Sequence, residues 1–306
     1  MRRARTVLAA IVLVQVMVFA ASCSPGSDEP SDLGSDGSLS VVASFYPLAE
    51  ATERVGGAPL EVVNLTPPGV EPHDLELSPD QVEQIATADL VLYMGQGFQP
   101  AVEEAVAAVA EGETLDVLDG MTLRPGTEEA EAVDPHVWLS PVLMQDIVDR
   151  VATSLEVLDP DRSAIFAANA RTYDASLAAL DEEFRTGLQD CDRRLLVSAH
   201  AAFGYLAAEY DLQQEAISGL SPEAEPSAEQ LASIVEVIRA QGVTTVYTEA
   251  LVSPKLAQTL ADEASVTTAV LDPLEGLTQA QVDAGEGYAS VMRDNLAALR
   301  DGLGCS

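Results

Sequence analysis

Histidine occurs three times in 306 residues. His73 closes the triplet Glu71-Pro72-His73, and His136 closes Asp134-Pro135-His136. Each triplet is followed by a Ser-Pro pair, Ser78-Pro79 and Ser140-Pro141. His200 comes directly after an apolar run at 194–199, and Asp272 ends another at 266–272. Three imidazoles and one carboxylate are donor types that zinc accepts in a tetrahedral shell. Proline fixes its own φ and extends the residue before it, so each acid-Pro-His triplet carries its imidazole on a stiff loop. A carboxylate commonly orients a metal-bound ring through its other nitrogen. The same proline geometry, however, is expected to carry Glu71 and Asp134 away from their own histidines. Glu249, at another strand end, is a candidate hydrogen-bond partner outside the donor set.

Each residue alone has a plainer reading. A lone histidine is ordinarily a surface or satisfied core residue, and Asp-Pro after a strand is common turn chemistry. Ser78, Ser140 and Ser253 ahead of prolines read as helix caps, not nucleophiles. What favours a metal site is that all three histidines fall in loops at the ends of strands.

The elements that would position them alternate regularly. Apolar strand-like runs at 39–47, 60–66, 89–95 and 114–118 are separated by helical patterns. The clearest has Ser78 as N-cap, Pro79 in the first turn and Gln81 completing a capping box. A second series has strands at 194–199, 213–218, 243–249 and 266–272, with a helix capped by Ser227 and Gln230. Alternating strands and helices imply parallel sheets covered on both faces. Between the two series, 159–187 is a helical pattern with no breaker after Pro160 that would span roughly 40 Å at ~1.5 Å per residue. The fold expected is α/β: an N-terminal lobe at 39–157, a linking backbone helix at 158–190 and a C-terminal lobe at 191–306. In open α/β sheets ligands bind at the carboxyl ends of the strands, where His73, His136, His200 and Asp272 would all lie.

The first residues read as export signals. Arg2, Arg3 and Arg5 precede an apolar stretch that ends in Ala20-Ala21-Ser22-Cys23. This is a signal peptide at 1–22 with a lipobox-like ending that makes Cys23 the lipidated residue. Ala20 departs from the leucine usual at its position. Residues 23–38, rich in Ser, Gly, Pro and Asp, form a flexible tether. Export also bears on Cys191 and Cys305, an even pair that outside the cytoplasm suggests a disulfide, with two free thiols as the alternative. The formal charge of −35 argues against nucleic acid or an anionic membrane surface as partner, so membrane attachment would come from the lipid alone.

The chain resembles the metal-binding lipoproteins of ABC importers for zinc and manganese, the TroA-like or high-affinity zinc uptake family. The resemblance covers nearly the whole chain after the leader. It is carried by VVASFYPLAEATERVGG, GVEPHDLELSP, DPHVWLSP, VSAHAAFGYLAAEY, GLSPEAEPSAEQL, YTEALVSPK and LDPLEGL, in that order. It implies two lobes joined by a rigid helix, a spine whose length predicts small lobe motions, and His73, His136, His200 and Asp272 as ligands of a captured ion. It also implies an ABC permease as partner, a monomer, and a location outside the cytoplasmic membrane. Manganese-type members place Glu where His200 stands, and imidazole suits zinc, so the expected ligand is Zn2+ with Mn2+ as alternative. A His-rich loop found in many zinc members is missing, since 122–134 is acidic and lacks histidine. An adhesin or zinc chaperone is a further alternative. A zinc hydrolase would keep an open coordination position and a base beside it. No His-Glu-x-x-His, Gly-x-Ser-x-Gly or P-loop stretch supports one, and no enzymatic activity is expected.

Overall fold

In the computed structural model, residues 38–58, 60–126 and 133–306 are described. The leader, Cys23 and most of the tether fall outside them, as does the centre of the acidic loop at 127–132.

The first half contains strands β1 (Ser40–Ala43), β2 (Glu61–Asn64), β3 (Leu90–Tyr93) and β4 (Glu113–Asp116). Helices α1 (Tyr46–Gly56), α2 (Pro79–Thr87), α3 (Pro100–Val109) and α4 (Pro141–Leu158) alternate with or follow them. A long helix, α5 (Ser163–Gly187), leads to the second half. There lie β5 (Leu195–Ser198), α6 (Gly204–Glu209), β6 (Gln213–Ala216), α7 (Ala228–Gln241), β7 (Thr245–Thr248), α8 (Lys255–Ala264), β8 (Thr267–Val270), α9 (Gln279–Ala284) and α10 (Tyr288–Leu303). The strands form two parallel four-stranded sheets of the same topology, β2-β1-β3-β4 and β6-β5-β7-β8.

Successive strand residues point to opposite faces, and the core follows that rule. Val41, Ala43, Leu90 and Leu92 on one side, with Leu196 and Tyr247 on the other, enter one continuous apolar cluster. Their neighbours Val42 and Val91 face a separate cluster under α2 and α3. Val197 and Val246 face a third under α7 and α8. The shared cluster is threaded by α5, whose buried residues Phe166, Ala170, Tyr173, Leu177, Leu180 and Phe184 recur at helical spacing and form one apolar stripe. That stripe packs against α1, α4 and α10, so the helix between the sheets is also the centre of the core.

The pattern at 159–187 does not run as one helix. Asp159, ahead of Pro160, lies outside the helical region (φ −134°, ψ 82°), and its carboxylate accepts from Arg162 N–H. A 3-10 turn at Pro160–Arg162 follows, and α5 begins at Ser163. The capping boxes of α2 and α7 form as expected, and Ser140 caps α4. Ser253 does not cap α8. That helix starts at Lys255 with Pro254 in the N-cap position, which leaves the serine one residue too early to reach the free N–H groups. Helix α9 has no counterpart among the expected elements. Cys191 and Cys305 form a disulfide with an S–S distance of 2.01 Å, joining the approach to β5 to the end of the chain. Among the described residues no helix is long and apolar enough to cross a membrane.

Candidate metal centre

Each histidine lies beyond a strand, on a loop stiffened differently. The His73 loop follows β2. Glu71 braces it by accepting from the backbone N–H of His73 (3.1 Å) and of Asp74 (3.3 Å). The His73 ring packs edge-on to Phe98, with centroids 4.6 Å apart. His136 precedes a 3-10 turn, Val137–Leu139, that runs directly into α4. His200 follows β5, and Ser198 Oγ and Gln214 Nε2 donate to its carbonyl at 2.7 and 3.0 Å.

These loops bring the three rings together around a carboxylate. Glu275 Oε1 lies 3.2 Å from His73 Nε2, 3.1 Å from His200 Nε2 and 3.4 Å from His136 Nε2. One donor atom from each of the four residues lies within 4.8 Å of all the others. His136 and His200 are fully buried, Glu275 is 1% exposed, and the His73 side chain alone keeps a slight opening to solvent at 8%. A tetrahedral zinc shell with bonds of ~2.0–2.1 Å has donor-to-donor edges of roughly 3.3 Å. The carboxylate-to-imidazole distances already match those edges. His136 Nε2 is buried and makes no hydrogen bond, as suits a nitrogen that awaits an ion.

Two of the rings are turned by a second carboxylate. Glu249 Oε1 accepts from the backbone N–H of His200 and lies 2.7 Å from its Nδ1. Asp134 Oδ1 does the same for His136, at 2.9 Å from the backbone nitrogen and 2.8 Å from Nδ1. A ring that donates Nδ1–H to a carboxylate presents the lone pair of Nε2 to the centre. Here Asp134 departs from the sequence-based expectation. A tight turn with Val137 N–H bonded to Pro135 O (2.7 Å) follows it, and the His136 ring lies within reach of the carboxylate. Glu71 follows the expectation, with its carboxylate accepting from the backbone N–H groups of His73 and Asp74.

Within this cluster, acids and imidazoles shift one another's protonation. Burial alone would lower the pKa of His200, but Glu249 and Glu275 outweigh it and hold that pKa well above the ordinary imidazole value. His136 is likewise raised, with Asp134 and Glu275 overcoming burial. His73 is lowered by burial, which the single contact with Glu275 does not offset. Glu275 is held well below the usual carboxylate range, because the three imidazoles outweigh the cost of burying it. Glu71 is pushed up to about 7 by burial and by the nearby Glu275.

Of the four residues expected from sequence, the structure brings His73, His136 and His200 together and leaves Asp272 aside. Asp272 is buried at the end of β8, but its Oδ1 accepts from Leu274 N–H (2.8 Å) and its Oδ2 from Gln281 Nε2 (3.0 Å). The acid that joins the histidines is Glu275, three residues further on. The sequence signal for it was slight, since an Asp-Pro at a strand end draws attention to the aspartate.

Known proteins share this architecture. The chain is 36% identical over 306 residues to the high-affinity zinc uptake system protein ZnuA of Bacillus subtilis (strain 168), an alignment that takes in 95% of this chain and 96% of that protein. It is 40% identical over 279 residues to the zinc-binding lipoprotein AdcA of Streptococcus pneumoniae, covering 87% of this chain but 56% of AdcA, so it spans about half the length of that relative. The crystal structure of the Zn(II)-bound ZnuA-like domain of S. pneumoniae AdcA superposes with a TM-score of 0.77 at 40% identity, over 87% of this chain and 99% of that one. Residues 41–302 match the family described as "ZnuA: Zinc-uptake complex component A periplasmic", and the chain accordingly belongs to the ZnuA family.

Proposed function

We propose that this protein is an extracytoplasmic receptor that captures Zn2+ between its two sheets and delivers it to the permease of an ABC importer. The observation that carries this reading is the convergence of three imidazole Nε2 atoms on one buried carboxylate oxygen. In this reading His73, His136, His200 and Glu275 replace the hydration shell of the ion. Glu275 takes the place that sequence had given to Asp272. Asp134 and Glu249 hold two of the rings in the binding tautomer.

Four donors can close a tetrahedral shell, which leaves no position for a nucleophilic water. The role is therefore carriage, with no bond chemistry. The lobes are taken as 39–157 and 191–306, with 158–190 between them. The continuous core around α5 favours small movements of these lobes over wide closure. A leader at 1–22 and lipid at Cys23 would keep the receptor on the outer face of the cytoplasmic membrane, as a monomer.

The test is metal content and competitive titration of the purified, demetallated protein. One zinc per chain, held against excess manganese, is the expected result. Displacement by manganese would keep the transport role and overturn the choice of metal, which rests on the imidazole of His200. Failure to bind either ion tightly would overturn the proposal.

A further inference from the structure

The turn that delivers Glu275 is fixed at every residue before it. One buried amide holds both backbone groups of Asp272: its N–H donates to Asn295 Oδ1, and its carbonyl accepts from Asn295 Nδ2, both at 2.7 Å. The carbonyl of Pro273 accepts from the indole N–H of Trp138 at 2.8 Å. The N–H of Leu274 is taken by Asp272 Oδ1. Asp272 Oδ2 is held in turn by Gln281 Nε2, and the Gln281 carbonyl is committed to the N–H and hydroxyl of Thr278 at the cap of α9.

These contacts surround a strained residue. Leu274 is fully buried and has φ of 55°, in the left-handed region that a branched side chain rarely enters. Such a conformation is costly and persists only where the surroundings over-determine it. It lies directly before the bend at Glu275 and Gly276. In an ordinary extended conformation, Leu274 would carry the following residue away from the histidines.

We propose that Asp272 and Asn295 are positioning residues for Glu275: they hold Leu274 left-handed, and that turn returns the Glu275 carboxylate to the three imidazoles. This rests on the reading of Glu275 as the fourth donor. It gives Asp272 a role in the site that uses its hydrogen-bond acceptor and not its charge.

The experiment is a double-mutant cycle read by zinc competition against a chromophoric chelator, using the full chain. Asp272→Ala is expected to weaken zinc binding about 10- to 100-fold, the usual range for groups that orient a ligand. In a Glu275→Ala background the same change should cost little more, because its effect passes through Glu275. The visible spectrum of the cobalt(II) form should change alike in Asp272→Ala and Glu275→Ala, which a general loss of stability would not produce. If Asp272→Ala fails to fold, Asn295→Ala completes the same cycle with the same expectation. Equal losses in both backgrounds would overturn the proposal. Wild-type zinc affinity in Glu275→Ala alone would instead sink the reading of Glu275 as a donor, whatever the Asp272 variants do.

Discussion

Glu249 holds His200 by two points at once. Its Oε1 takes the backbone N–H at 3.1 Å and lies 2.7 Å from ring Nδ1, with both residues buried. The ring therefore cannot rotate without breaking a contact to its own backbone anchor. Glu249→Gln keeps the size but loses the charge that favours a ring N–H at that position. Zinc affinity is expected to fall about 10- to 100-fold, measured by chelator competition. An unchanged affinity would mean that packing alone orients the ring.

Acid should weaken binding from an unusually high starting point. Zinc takes neutral imidazole, so each protonated ring must release its proton first. His136 and His200 have pKa values raised above 6.5, so affinity should decline as pH falls through those raised values, before an ordinary imidazole would titrate. Calorimetry in buffers of different ionisation enthalpy should show net proton release near neutrality. No release would mean that both rings are already neutral.

The same shifts fix the stability of the metal-free protein. A raised His200 pKa contributes stability that is fully present below 6.5 and lost as pH rises through the folded value. A depressed Glu275 pKa contributes stability present above 4.5 and lost as pH falls through its lowered value. Zinc-induced stabilisation, read as the difference in Tm with and without the ion, should thus grow from pH 6 to pH 8.

Gly204 is expected to matter for a ligand it never touches. A Cβ there would lie 2.6 Å from Asp134 Oδ2, and Asp134 is already bound to His136 through its other oxygen. Gly204→Ala should push the carboxylate off the ring and weaken zinc binding by about tenfold, the lower end for such orienting groups. Circular dichroism should show the fold retained. Full affinity in this variant would show that Asp134 has room to yield.

The disulfide spans 114 residues of sequence. Loop-closure entropy for a span of that size gives stabilisation on the order of 2–5 kcal/mol. Cys191→Ser with Cys305→Ser should lower the denaturation midpoint accordingly while zinc stoichiometry stays at one, since neither cysteine is among the four converging residues. A loss of zinc binding in folded double mutant would contradict this.

Much of the architecture was legible because it depends on local rules. Apolar runs marked the eight strands, and Ser78 with Gln81 and Ser227 with Gln230 marked two helix starts, because capping is settled within four residues. The run at 159–187 misled at its start, where Pro160 lets Asp159 cap a turn. Ser253 misled because a Ser-Pro pair does not say which of its residues begins the helix. The three histidines could be placed at strand ends because parallel topology sends every loop after a strand to the same rim.

Sequence by itself supplied the candidate donors: three histidines at strand ends, two of them on proline-stiffened loops, with an acid among the strand-end residues. Which acid completes the group was decided only by tertiary structure. Glu275 reaches the centre through a left-handed Leu274, and that turn is clamped by Asn295, 23 residues from Asp272, and by Trp138, 135 residues from Pro273. Contacts across such separations leave no local trace in the chain, because neither the strain at Leu274 nor what balances it exists until the sheets have packed around α5.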